Sequence, residues 1–183
     1  VDVGMMGEHY PNKEFQPMVM CDRKVAQGTG DIAVEPAMTQ EQCLRAILAG
    51  IEVVADLSTQ GYEMIGMGEM GIGNTTPSSA LVSVLLNLPA EEVTGRGAGL
   101  SDASYNKKVA VIEQAVKRYW KATEDSEIPD GPFFKIDAAV ELMSHLGGYE
   151  IAAMAGMCLG GAVFGVPIVL DGYISVGGAL CAS

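Results

Sequence analysis

Apolar positions along this chain fall into two alternating patterns. The first has helical spacing. Leu44, Ile47, Leu48, Ile51, Val54 and Ala55 recur every three or four residues and predict one inward face. Thr39 with Gln42 three residues later is a capping-box pair that starts this helix. It is expected to run to about Thr59, with Gly61 ending it. Val109, Ile112, Val116, Tyr119 and Trp120 mark the inner side of a helix over 105–123. Residues 134–146 form an amphipathic helix that Gly147-Gly148 breaks. Residues 78–88 and 151–164 are apolar on nearly every side, which predicts buried helices, the second built of small residues. The other pattern is the short continuous apolar run. Runs at 1–3, 18–20, 62–66 and 166–170 predict strands, and the last, fully apolar, reads as a strand of parallel-sheet type. Strands alternating with helices predict an α/β fold with a mostly parallel sheet, as one domain over 1–183.

Polar stretches fill the gaps. Residues 5–15 and 25–36 read as irregular, the latter carrying Gly28-Thr29-Gly30-Asp31. Residues 89–104 form a loop containing Gly95-Arg96-Gly97-Ala98-Gly99, and 123–131 an acidic surface insertion. The apolar stretch 151–170 has the length of a membrane span. Gly156, Gly160, Gly161, Gly165 and Pro167 break it into a buried helix, a turn and a strand. The chain opens on what looks like a strand and closes on what looks like a helix stopped midway. Both ends suggest a piece of a longer protein.

A net charge of −12 argues against non-specific nucleic-acid binding or an anionic membrane surface, since both want a basic patch. It leaves room for a phosphorylated small molecule, which needs only local donors. Cys21, Cys43, Cys158 and Cys181 are widely spaced, with no C-x-x-C pair, and only His9 and His145 could join them. They read as reduced thiols of a cytoplasmic protein, and no metal site or cofactor is predicted. His145, near a helix end, reads as a surface histidine stabilised by the dipole.

Candidate chemistry concentrates in Gly66-Met67-Gly68-Glu69-Met70-Gly71-Ile72-Gly73-Asn74-Thr75-Thr76-Pro77, between a strand and an apolar helix. Glycines let the backbone approach a ligand closely, and amides at a helix start bind anions. Gly66-x-Gly68-x-x-Gly71 is a literal dinucleotide fingerprint in the expected place. Against it, Glu69 would face a pyrophosphate, the glycine run continues to Gly73, and Asn-Thr-Thr-Pro replaces an apolar helix start. A structural turn is a further reading. A site needing both an anion-binding backbone and an acid/base or charge-stabilising carboxylate accounts for Glu69. Lys107 and Lys108 open the 105–123 helix, where the macrodipole opposes a cation. A phosphate shared between Lys108 and helix-end amides would relieve that conflict. Asp171-Gly172 ends the last strand, the place where parallel sheets bind ligands.

Five segments together carry a family resemblance. They are Gly30-Asp31-Ile32-Ala33-Val34-Glu35-Pro36-Ala37-Met38, the loop from Gly68 to Pro77, Asn106-Lys107-Lys108-Val109-Ala110-Val111, the run from Gly147 to Gly156, and Pro167-Ile168-Val169-Leu170-Asp171-Gly172-Tyr173-Ile174-Ser175. In this order and spacing the chain resembles the nicotinate-nucleotide–dimethylbenzimidazole phosphoribosyltransferases, over about the middle half of their length. The resemblance implies a Rossmann-like three-layer α/β domain, whose companion small helical domain comes from the family's two termini. It implies a homodimer that transfers phosphoribose from nicotinate mononucleotide to a benzimidazole-type base in cobalamin lower-ligand assembly. By motif match, Glu69 is the mid-chain glutamate near the reacting groups, and Gly71, Asn74, Thr75 and Thr76 line the nucleotide site. Lys108 is the lysine that meets the phosphate, while Gly97 and Asp171 fall in segments near the ligands. The glutamate usually taken as the family's general base lies nearer its C-terminus, outside these residues. Two other readings stay open: a dinucleotide-binding oxidoreductase domain, and a non-catalytic paralogue or partner subunit.

Overall fold

The structure is a computed structural model that describes residues 1–5, 21–96, 99–123 and 136–183. The elements run α1 (Gln40–Thr59), β1 (Ile65–Met67), α2 (Thr75–Leu86), α3 (Ala90–Val93), α4 (Asp102–Ala122), α5 (Ile136–Leu146), α6 (Tyr149–Phe164), β2 (Ile168–Leu170) and α7 (Tyr173–Leu180). The α/β class with parallel strand pairing is as expected. The expected strand at 18–20, the acidic insertion beyond Thr123 and Gly97 lie outside the described residues.

The ends of α1 follow from its sequence. Gln42 N–H donates to Thr39 Oγ1 at 3.1 Å, and Thr39 N–H donates to Gln42 Oε1 at 2.9 Å. Two amides that the helix cannot satisfy are thereby paired. At the other end Gly61 takes φ +86. Its N–H meets the Ser58 carbonyl and Tyr62 N–H meets that of Leu57, the Schellman pairing that a left-handed residue allows.

The buried face of α1 differs from the expected one. Cys43, Ala46, Ile47, Ala49, Gly50 and Val54 face inward, whereas Leu44 and Leu48 are 46% and 53% exposed. The reason is the closeness of α6, which packs along α1. A Cβ on Gly50 would stand 1.9 Å from the Ala153 carbonyl oxygen, and one on Gly156 would stand 2.0 Å from that of Ile47. Backbones this close require glycine and alanine at the crossing, so the small residues, not the leucines, turn inward. The core continues through Ile151, Ala152, Met154 and Ala155 of α6 to Leu142, Met143 and Leu146 of α5 and Leu81 of α2. In α4 the predicted inner positions Val109, Ile112 and Tyr119 are buried, with Val116 and Trp120 packed at the margin.

Strands β1 and β2 pair in parallel, with Ile65 opposite Ile168, Gly66 opposite Val169 and Met67 opposite Leu170. β1 begins three residues later than the apolar run at 62–66 suggests, because Tyr62 and Met64 point to solvent. The run 166–170, expected as a strand of parallel-sheet type, does pair in parallel but is not covered on both faces. Val169 is 49% and Leu170 38% exposed, since β1 is the sole sheet partner of β2 among the described residues. Residues 1–3 form a single parallel bridge, Asp2 to Asp22, continued by Val25 N–H to the Val3 carbonyl at 2.8 Å. The apolar stretch 151–170 divides as predicted. α6 stops at Gly165, φ +69, before β2, and among the described residues no helix is long and apolar enough to cross a membrane.

Candidate active site

The in-register pairing of β1 and β2 releases two loops from the same sheet edge. Gly68 follows β1 and Asp171 follows β2, so the two lie side by side. A Cβ on Gly68 would stand 3.3 Å from Asp171 Oδ2. Asp171 is exposed. The turn after it is fixed by Ser175, whose hydroxyl accepts from Gly172 N–H at 2.9 Å and donates to the Gly172 carbonyl at 2.8 Å. Tyr173 Oη donates to the Val93 carbonyl at 2.7 Å, tying the start of α7 to the end of α3.

The other loop bends through Gly71 (φ +70) and Gly73 (φ +74), both in the left-handed region that side chains resist. This bend folds the Glu69 carboxylate back over its own loop. Glu69 Oε2 accepts the Gly71 N–H and, at 2.7 Å, Asn74 Nδ2. Asn74 is the N-cap of α2, yet its side chain makes no capping hydrogen bond, because it is engaged with Glu69. Among the described residues, Thr75 and Thr76 therefore begin α2 with amides that no side chain caps, and Pro77 has none to offer. A helix start left open in this way attracts an anion.

Lys108 closes this arrangement from α4. Its Nζ donates to Thr75 Oγ1 at 3.0 Å and lies 3.4 Å from the Gly95 carbonyl. Among the described residues no carboxylate forms an ion pair with it. Partial burial lowers its pKa from the ordinary lysine value. Its place in the fold corrects the expectation that it opens a helix. α4 begins at Asp102, where the Ser101 hydroxyl accepts the Ser104 N–H, so Lys108 sits well inside. The helix N-terminus it faces is that of α2. Thr76 is half-buried beside Thr75. The predicted residues Glu69, Gly71, Asn74, Thr75, Thr76 and Lys108 thus gather at one helix start, with Asp171 beside Gly68.

Sequence reasoning missed Glu150. It follows Gly148 and Tyr149 at the start of α6, is half-buried, and its carboxyl feels the Glu69 charge. Burial raises its pKa first; its own backbone N–H and the Asn74 side chain oppose that, and the Glu69 charge adds to it. The available signal was a carboxylate placed just after a glycine pair at the head of an otherwise apolar helix. His145 also departs from expectation. It is half-buried and edge-on to Tyr119 at 5.6 Å, with Arg118 Nη1 3.4 Å from its Nδ1. Burial and then the Arg118 charge lower its pKa, Glu141 opposing, so it is not a dipole-stabilised surface cation.

Comparison with known proteins gives the same direction throughout. A family model described as Phosphoribosyltransferase matches residues 1–183. The nicotinate-nucleotide–dimethylbenzimidazole phosphoribosyltransferase of Chlorobaculum tepidum is 41% identical over 182 residues, covering 100% of this chain and 47% of that protein. The protein of the same name from Chlorobium chlorochromatii is 43% identical over 182 residues, again covering all of this chain and 46% of the relative. The chain thus spans about half the length of the curated relatives it matches. Among solved structures, the CobT of Thermus thermophilus superposes with a TM-score of 0.82 at 36% identity, covering 99% of this chain and 49% of that one.

Proposed function

This chain belongs to the phosphoribosyltransferase family, and from that premise we propose that it supplies the nucleotide-binding half of a transferase site. The reaction moves phosphoribose from nicotinate mononucleotide to 5,6-dimethylbenzimidazole or a related base, in cobalamin assembly. One observation carries the reading. Glu69 and Lys108 are joined through the adjacent residues Asn74 and Thr75 at an uncapped helix start. A nucleotide monophosphate has two chemically distinct ends, an anion and a reacting sugar, and this arrangement offers a donor set for one and a carboxylate for the other.

The chemistry divides accordingly. Phosphate oxygens take charge-assisted hydrogen bonds from Lys108 Nζ and from the Thr75 and Thr76 amides. Lys108 loses little by leaving its neutral acceptors for an anion. As the bond between the anomeric carbon and the pyridinium nitrogen breaks, its electron pair returns to that nitrogen and neutral pyridine leaves as nicotinate. The sugar gains oxocarbenium character, as in glycoside transfer. An acceptor-base nitrogen forms the new bond to the anomeric carbon, and the base gives up its N–H proton. A carboxylate at Glu69 stabilises the cationic sugar or accepts that proton. Gly71 and Gly73 keep the loop low enough for the sugar to approach. Asp171 borders the same site in this reading, and Gly97 is carried as a substrate-binding residue by motif match alone.

The domain is the α/β core of a larger protein, and the working species is a cytoplasmic homodimer, which light scattering on the full-length protein tests. Full-length protein incubated with nicotinate mononucleotide and 5,6-dimethylbenzimidazole should release nicotinate and form α-ribazole phosphate by chromatography. Nucleotide binding without turnover would mark a non-catalytic subunit instead. Calorimetric binding of NAD(H) in place of nicotinate mononucleotide would mark the dinucleotide reading.

A further inference from the structure

Asn74 is oriented against its own stability. At the N-cap of α2 an asparagine ordinarily has extended backbone and turns its side-chain oxygen to the open amides of the first turn. Asn74 instead has φ −100 and ψ −4, and its side chain makes no capping bond. Its Oδ1 is buried with no hydrogen-bond partner among the described residues, and a buried acceptor left unpaired carries a penalty. What the side chain does make is a charge-assisted hydrogen bond, from Nδ2 to Glu69 Oε2 at 2.7 Å. The reverse orientation of the amide would set Oδ1 against the carboxylate, acceptor on acceptor. Both sacrifices therefore serve one contact, the donor end turned to Glu69.

The backbone of Asn74 is held as well. Its carbonyl accepts the Ser78 hydroxyl at 2.8 Å and the Ser78 N–H at 3.1 Å, and Ser78 is fully buried. On the other side, Glu69 Oε2 takes two donors, the Asn74 amide and the Gly71 N–H, while among the described residues Oε1 takes none. Glu69 is only half-buried, so Oε1 is the oxygen left for a ligand. We propose that Asn74 is a positioning residue: pinned by Ser78, its amide holds Glu69 by Oε2 and leaves Oε1 as the atom that works on the reacting sugar. At 5% exposure Asn74 offers a nucleotide almost no surface, so it acts through Glu69 and not by touching substrate. The inference rests on the proposed transferase reading, divides the two oxygens of its carboxylate between support and chemistry, and extends the support to Ser78.

Asn74→Ala and Asn74→Asp in the full-length protein test it. Alanine removes the donor, and aspartate keeps the shape but sets an acceptor against Glu69. Both should lower kcat about tenfold or more while KM for nicotinate mononucleotide stays within about twofold, because the phosphate donors are untouched. Asn74→Ala should keep its Tm within about 2 °C of wild type, since no cap is lost and an unpaired acceptor is removed. In a Glu69→Ala background, Asn74→Ala should lower kcat no further. Unchanged kcat in Asn74→Ala, a near-wild-type Asn74→Asp, a raised KM at constant kcat, or losses that multiply with Glu69→Ala would each overturn the proposal. A second readout does not need turnover. In full-length protein labelled with ¹⁵N-asparagine, one Asn74 side-chain proton should lie downfield of its partner and exchange slowly, and both features should vanish in Glu69→Ala. An amide signal unchanged by Glu69→Ala contradicts the hold. A wild type that lacks transferase activity but shows this signature refutes the reaction assignment and leaves the hold of Asn74 on Glu69 established.

Discussion

Replacing Gly156 by alanine tests the packing that places α6, and with it Glu150, against the site. The added Cβ would stand 2.0 Å from the Ile47 carbonyl oxygen and 2.8 Å from its carbon. The obstacle is α1 backbone, so no side chain can rotate aside. Ordinary contact distances require the two helices to part by more than about 1 Å locally, and a gap of that size forfeits up to half the dispersion energy of each contact it opens. Over-packing costs about 1–3 kcal/mol, and a rigid backbone obstacle puts this site at the upper end. Helix propensity returns about 1 kcal/mol for glycine to alanine. The net expectation is a loss of about 2 kcal/mol, or a Tm lower by about 4–8 °C for a domain of this size. Urea titration and thermal melts of the full-length protein, followed by circular dichroism, measure it. Gly66→Ala is the control, since a Cβ there has no neighbour within 4 Å, and it should change stability by less than about 0.5 kcal/mol. A Gly156→Ala protein as stable as the wild type would refute the close crossing of α1 and α6.

Other outcomes follow from the same geometry. Lys108→Ala should weaken nicotinate mononucleotide binding about 10- to 100-fold by calorimetry, the worth of one charge-assisted hydrogen bond, and the loss should shrink when salt is raised. Because His145 has a folded-state pKa below its ordinary 6.5, the unfolded chain takes up its proton first. The stabilising contribution is complete above about pH 6.5 and lost as pH falls through the lower folded value. Tm should therefore drop between pH 7 and pH 5, and His145→Asn should flatten that part of the profile.

Much of this site was readable from residue order because its residues are close in sequence. Glu69, Gly71 and Asn74 lie in one loop after β1, and Thr75 and Thr76 open the helix that follows, so local chemistry places them. Lys108 was a candidate phosphate residue by resemblance, yet its place in the helix was misjudged. Ser101 and Asp102 start α4 earlier, and the amides Lys108 faces belong to α2, a tertiary fact that no spacing encodes. Glu150 was out of reach for the same reason, since only folding brings its charge near that of Glu69. In the fold, the capping box and the glycine stop of α1 are local signals and appear as read. Its inward face is not local. Periodicity favoured Leu44 and Leu48, but the closeness of α6 selects Ala46, Ala49 and Gly50. The exposure of β2 likewise depends on what lies beside it, which an apolar run cannot state.

The central claim is that the Glu69 carboxylate acts on the reacting sugar while other residues hold the nucleotide. Single-turnover kinetics of Glu69→Gln in the full-length protein, at saturating nicotinate mononucleotide and dimethylbenzimidazole, test it most directly. The rate of nicotinate release should fall about 100-fold or more while the Kd for nicotinate mononucleotide stays within about threefold. A release rate within about threefold of wild type would contradict the assignment.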